Sequence, residues 1–137
     1  MDRLIYDDNS IWLNQYECEA NPLVHFNETA HQIMENCSDV TKVYVGTGTA
    51  GTAMGVSRYF RQYFPEVDLI AVDSVGSVTF GGKSSPRYLP GLGASVPPVF
   101  FKREGFNKLV SVDESLILPS IGGHRSKRSF GPRRPPG

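Results

Sequence analysis

Apolar positions change their spacing in the middle of this chain, and the change marks out three elements in succession. Val43, Tyr44 and Val45 are consecutive, a β-branched and aromatic run suited to a buried strand. From Val56 onward the apolar residues fall at Val56, Tyr59, Phe60, Tyr63 and Phe64, the i, i+3, i+4, i+7, i+8 stripe of an amphipathic helix. Pro65 ends it, because its ring and missing N–H cannot continue the ladder. Between strand and helix lies Gly46-Thr47-Gly48-Thr49-Ala50-Gly51-Thr52, with glycines where the backbone must turn sharply. Residues 67–72 make a second apolar run that closes on Asp73. Strand, turn, helix and strand at this spacing predict a βαβ unit, hence parallel strands and an α/β fold.

The flanks are less regular. Residues 11–13 (Ile-Trp-Leu) read as a strand end, and the polar stretch after them closes on Asn21-Pro22. A brief helical turn over 23–26 follows the proline, and a helix is predicted over 29–36 with Ile33 and Met34 facing inward. Residues 74–94 are rich in Gly, Ser and Pro, a loop of the length that is functional or mobile. The apolar run at 99–101 is too short to assign, and 109–112 reads as a third strand ending at Asp113 and Glu114. From about Ser115 the character changes. Residues 124–137, HRSKRSFGPRRPPG, are basic and rich in Pro and Gly, a composition that cannot fold by itself. The expected division is a folded unit over 1–114 and an unrelated or disordered tail over 115–137.

Composition removes several function classes. The chain has 14 basic and 14 acidic residues and no net charge, so no global field draws it to nucleic acid or an anionic membrane. No apolar run approaches the roughly 20 residues of a membrane span, and the start MDRLIYDD lacks a signal-peptide pattern. The expectation is a cytoplasmic, reduced protein in which Cys18 and Cys37 are incidental thiols. His25 and His31 stand six apart, off a common helix face, with no Cys or carboxylate completing a metal set, so structural roles are expected. Ser74 and Ser77 lack an elbow motif and a paired base, so loop hydrogen bonding is expected of them. The aromatics of the helix stripe are expected in the core.

The chemistry concentrates in the turn. A helix whose first turn is a Gly/Thr loop points free N–H groups and a positive dipole end at one spot, an anion site most often filled by phosphate. Gly46, Gly48 and Gly51 spell G-x-G-x-x-G after a strand, and Asp73 stands where a ribose-binding acid belongs, so a dinucleotide-binding oxidoreductase domain is one reading. Against it, some forty residues precede the motif, and Thr47, Thr49 and Thr52 are more hydroxyls than a pyrophosphate crossing needs. They better suit a phosphate monoester.

Gly48-Thr49-Ala50-Gly51-Thr52 resembles the GTGGT phosphate cup of the cysteine synthase family, pyridoxal-phosphate enzymes of fold type II, with Ala50 at the family's third-position Gly. LNQYECEANPLVHF resembles that family's QY/QF-x-NPANP stretch, with Glu19 where Pro is usual. VDSVGSVTFGG followed by PGLGAS is similar to the branch that makes N-(2-amino-2-carboxyethyl)-glutamate for siderophores, although Val96-Pro97-Pro98 follows where that branch carries basic residues. The resemblance spans roughly residues 4 to 114.

It implies a tryptophan synthase β-like, three-layer α/β/α fold and β-replacement on O-acetylserine or O-phosphoserine, with small amino-acid substrates, pyridoxal 5′-phosphate as cofactor and a homodimeric parent. By position, Gly48, Thr49, Ala50, Gly51 and Thr52 would hold the cofactor phosphate. Gln15 matches a glutamine near the substrate carboxylate, and Gly91 a glycine facing the cofactor. The family's Schiff-base lysine and cofactor-ring serine are matched by nothing in this sequence, and Lys42 and Lys83 lie in no family lysine motif. The resemblance therefore implies an internal portion of an enzyme, inactive alone, with no catalytic residue of its own. A non-catalytic truncated binding protein is the third reading, and uncovered strand edges would make such a chain associate.

Overall fold

The computed structural model describes residues 14–88 and 90–116, so the strand end expected at 11–13 and the tail beyond 116 lie outside the described residues. A helical run comes first, built of α1 (Ala20–Val24), a π-helical segment (His25–Thr29) and α2 (Ala30–Asn36). Then follow β1 (Lys42–Gly46), α3 (Gly51–Tyr63), β2 (Asp68–Ser74), a 3-10 turn (Arg103–Gly105) and β3 (Lys108–Val112). The brief turn and the separate helix expected on either side of residue 27 are therefore one continuous run. The π segment joins them, the Ala30 N–H bonding the carbonyl of His25 rather than that of Phe26.

The strands form a three-stranded sheet in the order β1-β2-β3, with both pairs parallel. Val43 stands beside Leu69, and Ala71 beside Leu109. β2 reaches Ser74, two residues past the apolar run, because Asp73 and Ser74 pair with Ser111 and Val112. Val67 precedes the sheet and instead donates its N–H to the Phe64 carbonyl at 3.1 Å. At the entry to β3, the Asn107 carboxamide oxygen accepts the Leu69 N–H at 2.7 Å and a hydrogen bond from the Arg61 guanidinium. The α/β class and the parallel βαβ core follow the sequence expectation.

The core lies between α3 and one sheet face. Val56 and Phe60 of α3 meet Leu69 and Val67, with Ala30, Ile33, Met34 and Val43 packed around them. Burying side chains of this size contributes about 2 kcal/mol each relative to leaving them in water. Two expectations fail at the rim. Tyr44 is 67% exposed, because a strand alternates faces and only the face of Val43 and Val45 meets the described helices. Tyr63 is 53% exposed, since Val56 and Phe60 fill the sheet-facing side of α3; its ring leans on Tyr59 and Phe26 at 5.0 and 6.2 Å. A second small cluster, Ala50, Met54 and Phe100, underpins the start of α3 and takes in Phe100 and Phe101 of the unassigned apolar run, while Val99 stays exposed.

Candidate functional site

The turn after β1 is held from below by Thr47. This residue is fully buried, and both its N–H and its hydroxyl donate to the Val72 carbonyl, at 2.8 and 3.0 Å. The turn is thus tied to the carboxyl end of β2, the edge at which open α/β sheets place ligands. Ala50 then takes the left-handed conformation, φ 68° and ψ 2°, and serves as N-cap of α3. Its carbonyl accepts the Met54 N–H at 2.9 Å. The N–H groups of Gly51, Thr52 and Ala53, one turn earlier, have no intrahelical carbonyl to meet. No side chain caps this end, and the first turn carries no acidic residue. A 13-residue helix that begins this way offers several N–H groups and a positive dipole end to an external anion.

Two residues of the preceding helical run support the turn. The Asn21 carboxamide donates to the Gln15 carbonyl at 2.7 Å and reaches the Thr49 hydroxyl at 3.5 Å. It also covers Gly51, where an added Cβ would stand 2.1 Å from Asn21 Oδ1. His25, in the π segment, lies 2.9 Å from Thr29 Oγ1 through Nδ1 and 3.0 Å from Thr52 Oγ1 through Nε2. If Nε2 carries the proton, the ring donates to Thr52 and leaves that hydroxyl's own proton available to a ligand. If Nδ1 carries it, Thr52 donates to the ring instead. The structural role expected of His25 is thereby specified: it connects the π segment to the first turn of α3.

The upper wall of the turn is the glycine arm at 90–93. The Gly93 N–H donates to the Thr47 carbonyl at 2.7 Å. Gly91 sits over Gly48, whose ideal Cβ would lie 3.9 Å from the Gly91 carbonyl oxygen, while a Cβ on Gly91 itself would meet nothing within 4 Å. Leu92 packs on Gly46, its Cδ1 3.2 Å from an ideal Cβ there. Five of the expected residues, Gly48, Thr49, Ala50, Gly51 and Thr52, run consecutively through this turn, Thr52 exposed, Gly48 and Thr49 half-buried, Ala50 and Gly51 buried, with Gly91 opposite Gly48. Gln15 is joined to the turn by its backbone, through Asn21. The N–H groups and hydroxyls that a phosphate monoester requires are therefore consecutive in this turn, with the Gly91 backbone beside Gly48.

Other candidates stand apart. Asp73 is 1% exposed and accepts the N–H of Ser74 at 2.8 Å, which takes it out of reach of a ribose. Lys42 begins β1 at the end away from the turn, roughly 13 Å along the strand. Lys83 is exposed in the loop after β2. Ser77 makes loop hydrogen bonds, as expected. Among the described residues, no group of three or more His, Cys, Asp and Glu could hold a metal, and no helix is long and apolar enough to cross a membrane. Asn21 and His25 were not singled out for the site by sequence reasoning. Two spacings pointed to them: Gly51 and Gly55 on one face of α3, which invite close approach, and His25 and Thr29 one turn apart.

Comparison with known proteins bears on the family and the fold. The family model described as pyridoxal-phosphate dependent enzyme matches residues 1–100. Among solved structures, an O-ureido-L-serine synthase is 30% identical with a TM-score of 0.69, covering 74% of this chain and 33% of that one. An O-acetylserine dependent cystathionine β-synthase from Helicobacter pylori is 27% identical with a TM-score of 0.67, over the same 74% and 33%. A cysteine synthase from Entamoeba histolytica is 28% identical with a TM-score of 0.69, over 74% and 30%. The chain spans about a third of the length of these structures. With its strand, glycine turn, uncapped helix and facing glycine arm in the same fold, the chain belongs to the pyridoxal-phosphate dependent enzyme family.

Proposed function

We propose that this chain forms the phosphate-holding part of a pyridoxal-phosphate centre for β-replacement on an activated serine, O-acetylserine or O-phosphoserine. The observation that carries this reading is the uncapped, acid-free start of α3 facing the glycine arm, with Gly48 and Gly91 in apposition. The matched structures named for O-acetylserine and O-ureido-L-serine chemistry support the substrate class. When bound, pyridoxal phosphate supplies an electron sink for bond breaking at the substrate's α-carbon.

The chain's own contribution is to bind and orient. Backbone N–H groups from Gly48 to Thr52 and the hydroxyls of Thr49 and Thr52 would hold the phosphate. Gly91, where even a Cβ would meet nothing within 4 Å, would leave room for the cofactor. Gln15, joined to the turn through Asn21, would meet the substrate carboxylate. No described lysine lies in this surface, so the chain by itself is a binder of the cofactor rather than a catalyst.

Titration of the full chain with pyridoxal 5′-phosphate, followed by absorbance and fluorescence, tests the reading. Saturable binding is expected, displaced by inorganic phosphate and weakened about tenfold in Thr49→Val, which removes a hydroxyl from a charge-assisted contact. Borohydride treatment is expected to fix no cofactor on a lysine. Thermal stabilisation by NAD(H) and not by pyridoxal phosphate would overturn the proposal in favour of a dinucleotide site.

A further inference from the structure

The two ends of the loop after β2 are fastened to each other by two side chains that lie outside the phosphate surface. Ser77 is only 7% exposed, and its Oγ accepts the N–H of Ala94 at 2.9 Å and of Thr79 at 3.3 Å. Its own proton faces Thr79 Oγ1 at 3.0 Å and the Ala94 carbonyl at 3.3 Å. The backbone adds one bond at the same point, from the Val78 N–H to the Ala94 carbonyl at 2.9 Å. Arg87 spans the same base from the other side. Its guanidinium donates to the Gly76 carbonyl and, at 2.9 Å, to Ser95 Oγ.

Gly93 is caught between the two. An ideal Cβ at Gly93 would lie 3.0 Å from Arg87 Nε and 3.0 Å from Ser77 Cβ, and its φ is +87°, where L side chains are strained. The same residue gives its N–H to the Thr47 carbonyl at 2.7 Å, and Thr47 is bonded to Val72 beneath the phosphate turn. A continuous set of contacts thus runs from Ser77 and Arg87 through Gly93 to Thr47, and the arm carrying Gly91 hangs from it.

We infer that Ser77 and Arg87 are positioning residues of the phosphate turn: they clamp the glycine arm so that Gly91 stands over Gly48, while neither belongs to the phosphate surface. Without them, the segment between residues 77 and 94 would rest on a few backbone bonds and would open locally, as long loops with little buried apolar surface do. The inference rests on the turn being the pyridoxal-phosphate site, but the two stand or fall on different measurements.

The test uses the full chain with Ser77→Ala, Arg87→Ala and, as control in the same loop, the exposed Lys83→Ala. Hydrogen exchange at the Gly93 and Ala94 amides should speed up about tenfold or more in the first two, with the amides of α3 unchanged. Their affinity for pyridoxal 5′-phosphate should fall about five- to tenfold, in the range of one lost hydrogen bond, and Lys83→Ala should match the wild type in both readouts. Wild-type exchange at Gly93 in both variants overturns the clamp, as does faster exchange with unchanged affinity. Failure of the wild-type chain to bind pyridoxal 5′-phosphate overturns the site reading itself, whatever the variants do. If Ser77→Ala does not fold, Arg87→Ala, at a half-buried position, decides the matter alone.

Discussion

Asn21 occupies the space that a side chain on Gly51 would need, its Oδ1 2.1 Å and its Nδ2 2.4 Å from an ideal Cβ there. The obstacle is the end of a side chain, so Gly51→Ala can push it aside, at the expense of the 2.7 Å bond to the Gln15 carbonyl. At Gly55 the obstacle is backbone: an added Cβ meets the Pro22 carbonyl oxygen at 2.3 Å and the Phe26 nitrogen at 2.9 Å. Alanine gains about 1 kcal/mol of helix propensity at the interior Gly55 and less at Gly51, the first residue of α3. Net destabilisation of about 1 kcal/mol is expected for Gly51→Ala and about 3 kcal/mol for Gly55→Ala, the upper end for overpacking. Urea unfolding of both variants checks the order, and equal losses would contradict it.

Ala50 carries opposing effects in one methyl group. Its left-handed φ of 68° costs about 1–2 kcal/mol for an L residue, while the methyl is buried against Met54 and Phe100. Ala50→Gly relieves the strain but loses burial worth about 0.8 kcal/mol and adds freedom to the unfolded chain. Stability is therefore expected to stay within about 1 kcal/mol of the wild type. Ala50→Val adds β-branching to the same strained, enclosed position and should cost about 3 kcal/mol or more. Thermal unfolding of the pair distinguishes this from a turn that tolerates any small residue.

The 3.0 Å contact between His25 Nε2 and Thr52 Oγ1 is a pairwise interaction that a double-mutant cycle can isolate. With His25→Ala and Thr52→Val, the coupling energy should be about 0.5–1.5 kcal/mol. Thr52→Ser keeps the hydroxyl and should retain most of it. Additive losses would mean that the two side chains contribute separately.

Asp113 gives the fold an acid dependence. Its carboxyl is held below the usual carboxylate range by the Ser115 hydroxyl and then by the Ser115 N–H, which lies 2.8 Å from Oδ1. A group with a lower value in the folded state favours folding when ionised. Its contribution is complete above the ordinary carboxylate range and fades as pH falls through the lowered value. Between about pH 5 and about pH 2, the wild type should lose more stability than Asp113→Asn, and the difference should shrink in high salt because the group is exposed. Parallel pH profiles would remove Asp113 from the account.

The parts of the fold legible in the sequence are those governed by local pattern. Val56 and Phe60 mark the buried face of α3, and the strands around Val45 and Ile70 form where β-branched residues cluster. What pattern could not deliver depends on neighbours distant in the chain. Tyr63 fits the helix stripe but stays at the rim, because Val56 and Phe60 already fill the sheet-facing side of α3. Asp73 resembles a ligand-binding acid in spacing, yet β3 pairs alongside and buries it. The sharp turn between β1 and α3 was legible through its glycines. The contacts of Asn21 and His25 with it were not, because their partners lie 27 to 30 positions away.

The bond from the Ala30 N–H to the His25 carbonyl is in effect one residue more than an α-helix of the same length would contain. Each residue turns an α-helix by about 100°, so this surplus sets the phase between the part that meets the first turn of α3 and the part that meets its buried face near Phe60. His25 can face Thr52 while Ile33 and Met34 face Phe60 only because the two halves are out of step by that amount. Deletion of the exposed Asn27 would let the run relax to a regular helix and keep one of these alignments at the expense of the other. The segment acts as an angular spacer, and its length in residues, more than their identity, sets where the imidazole points.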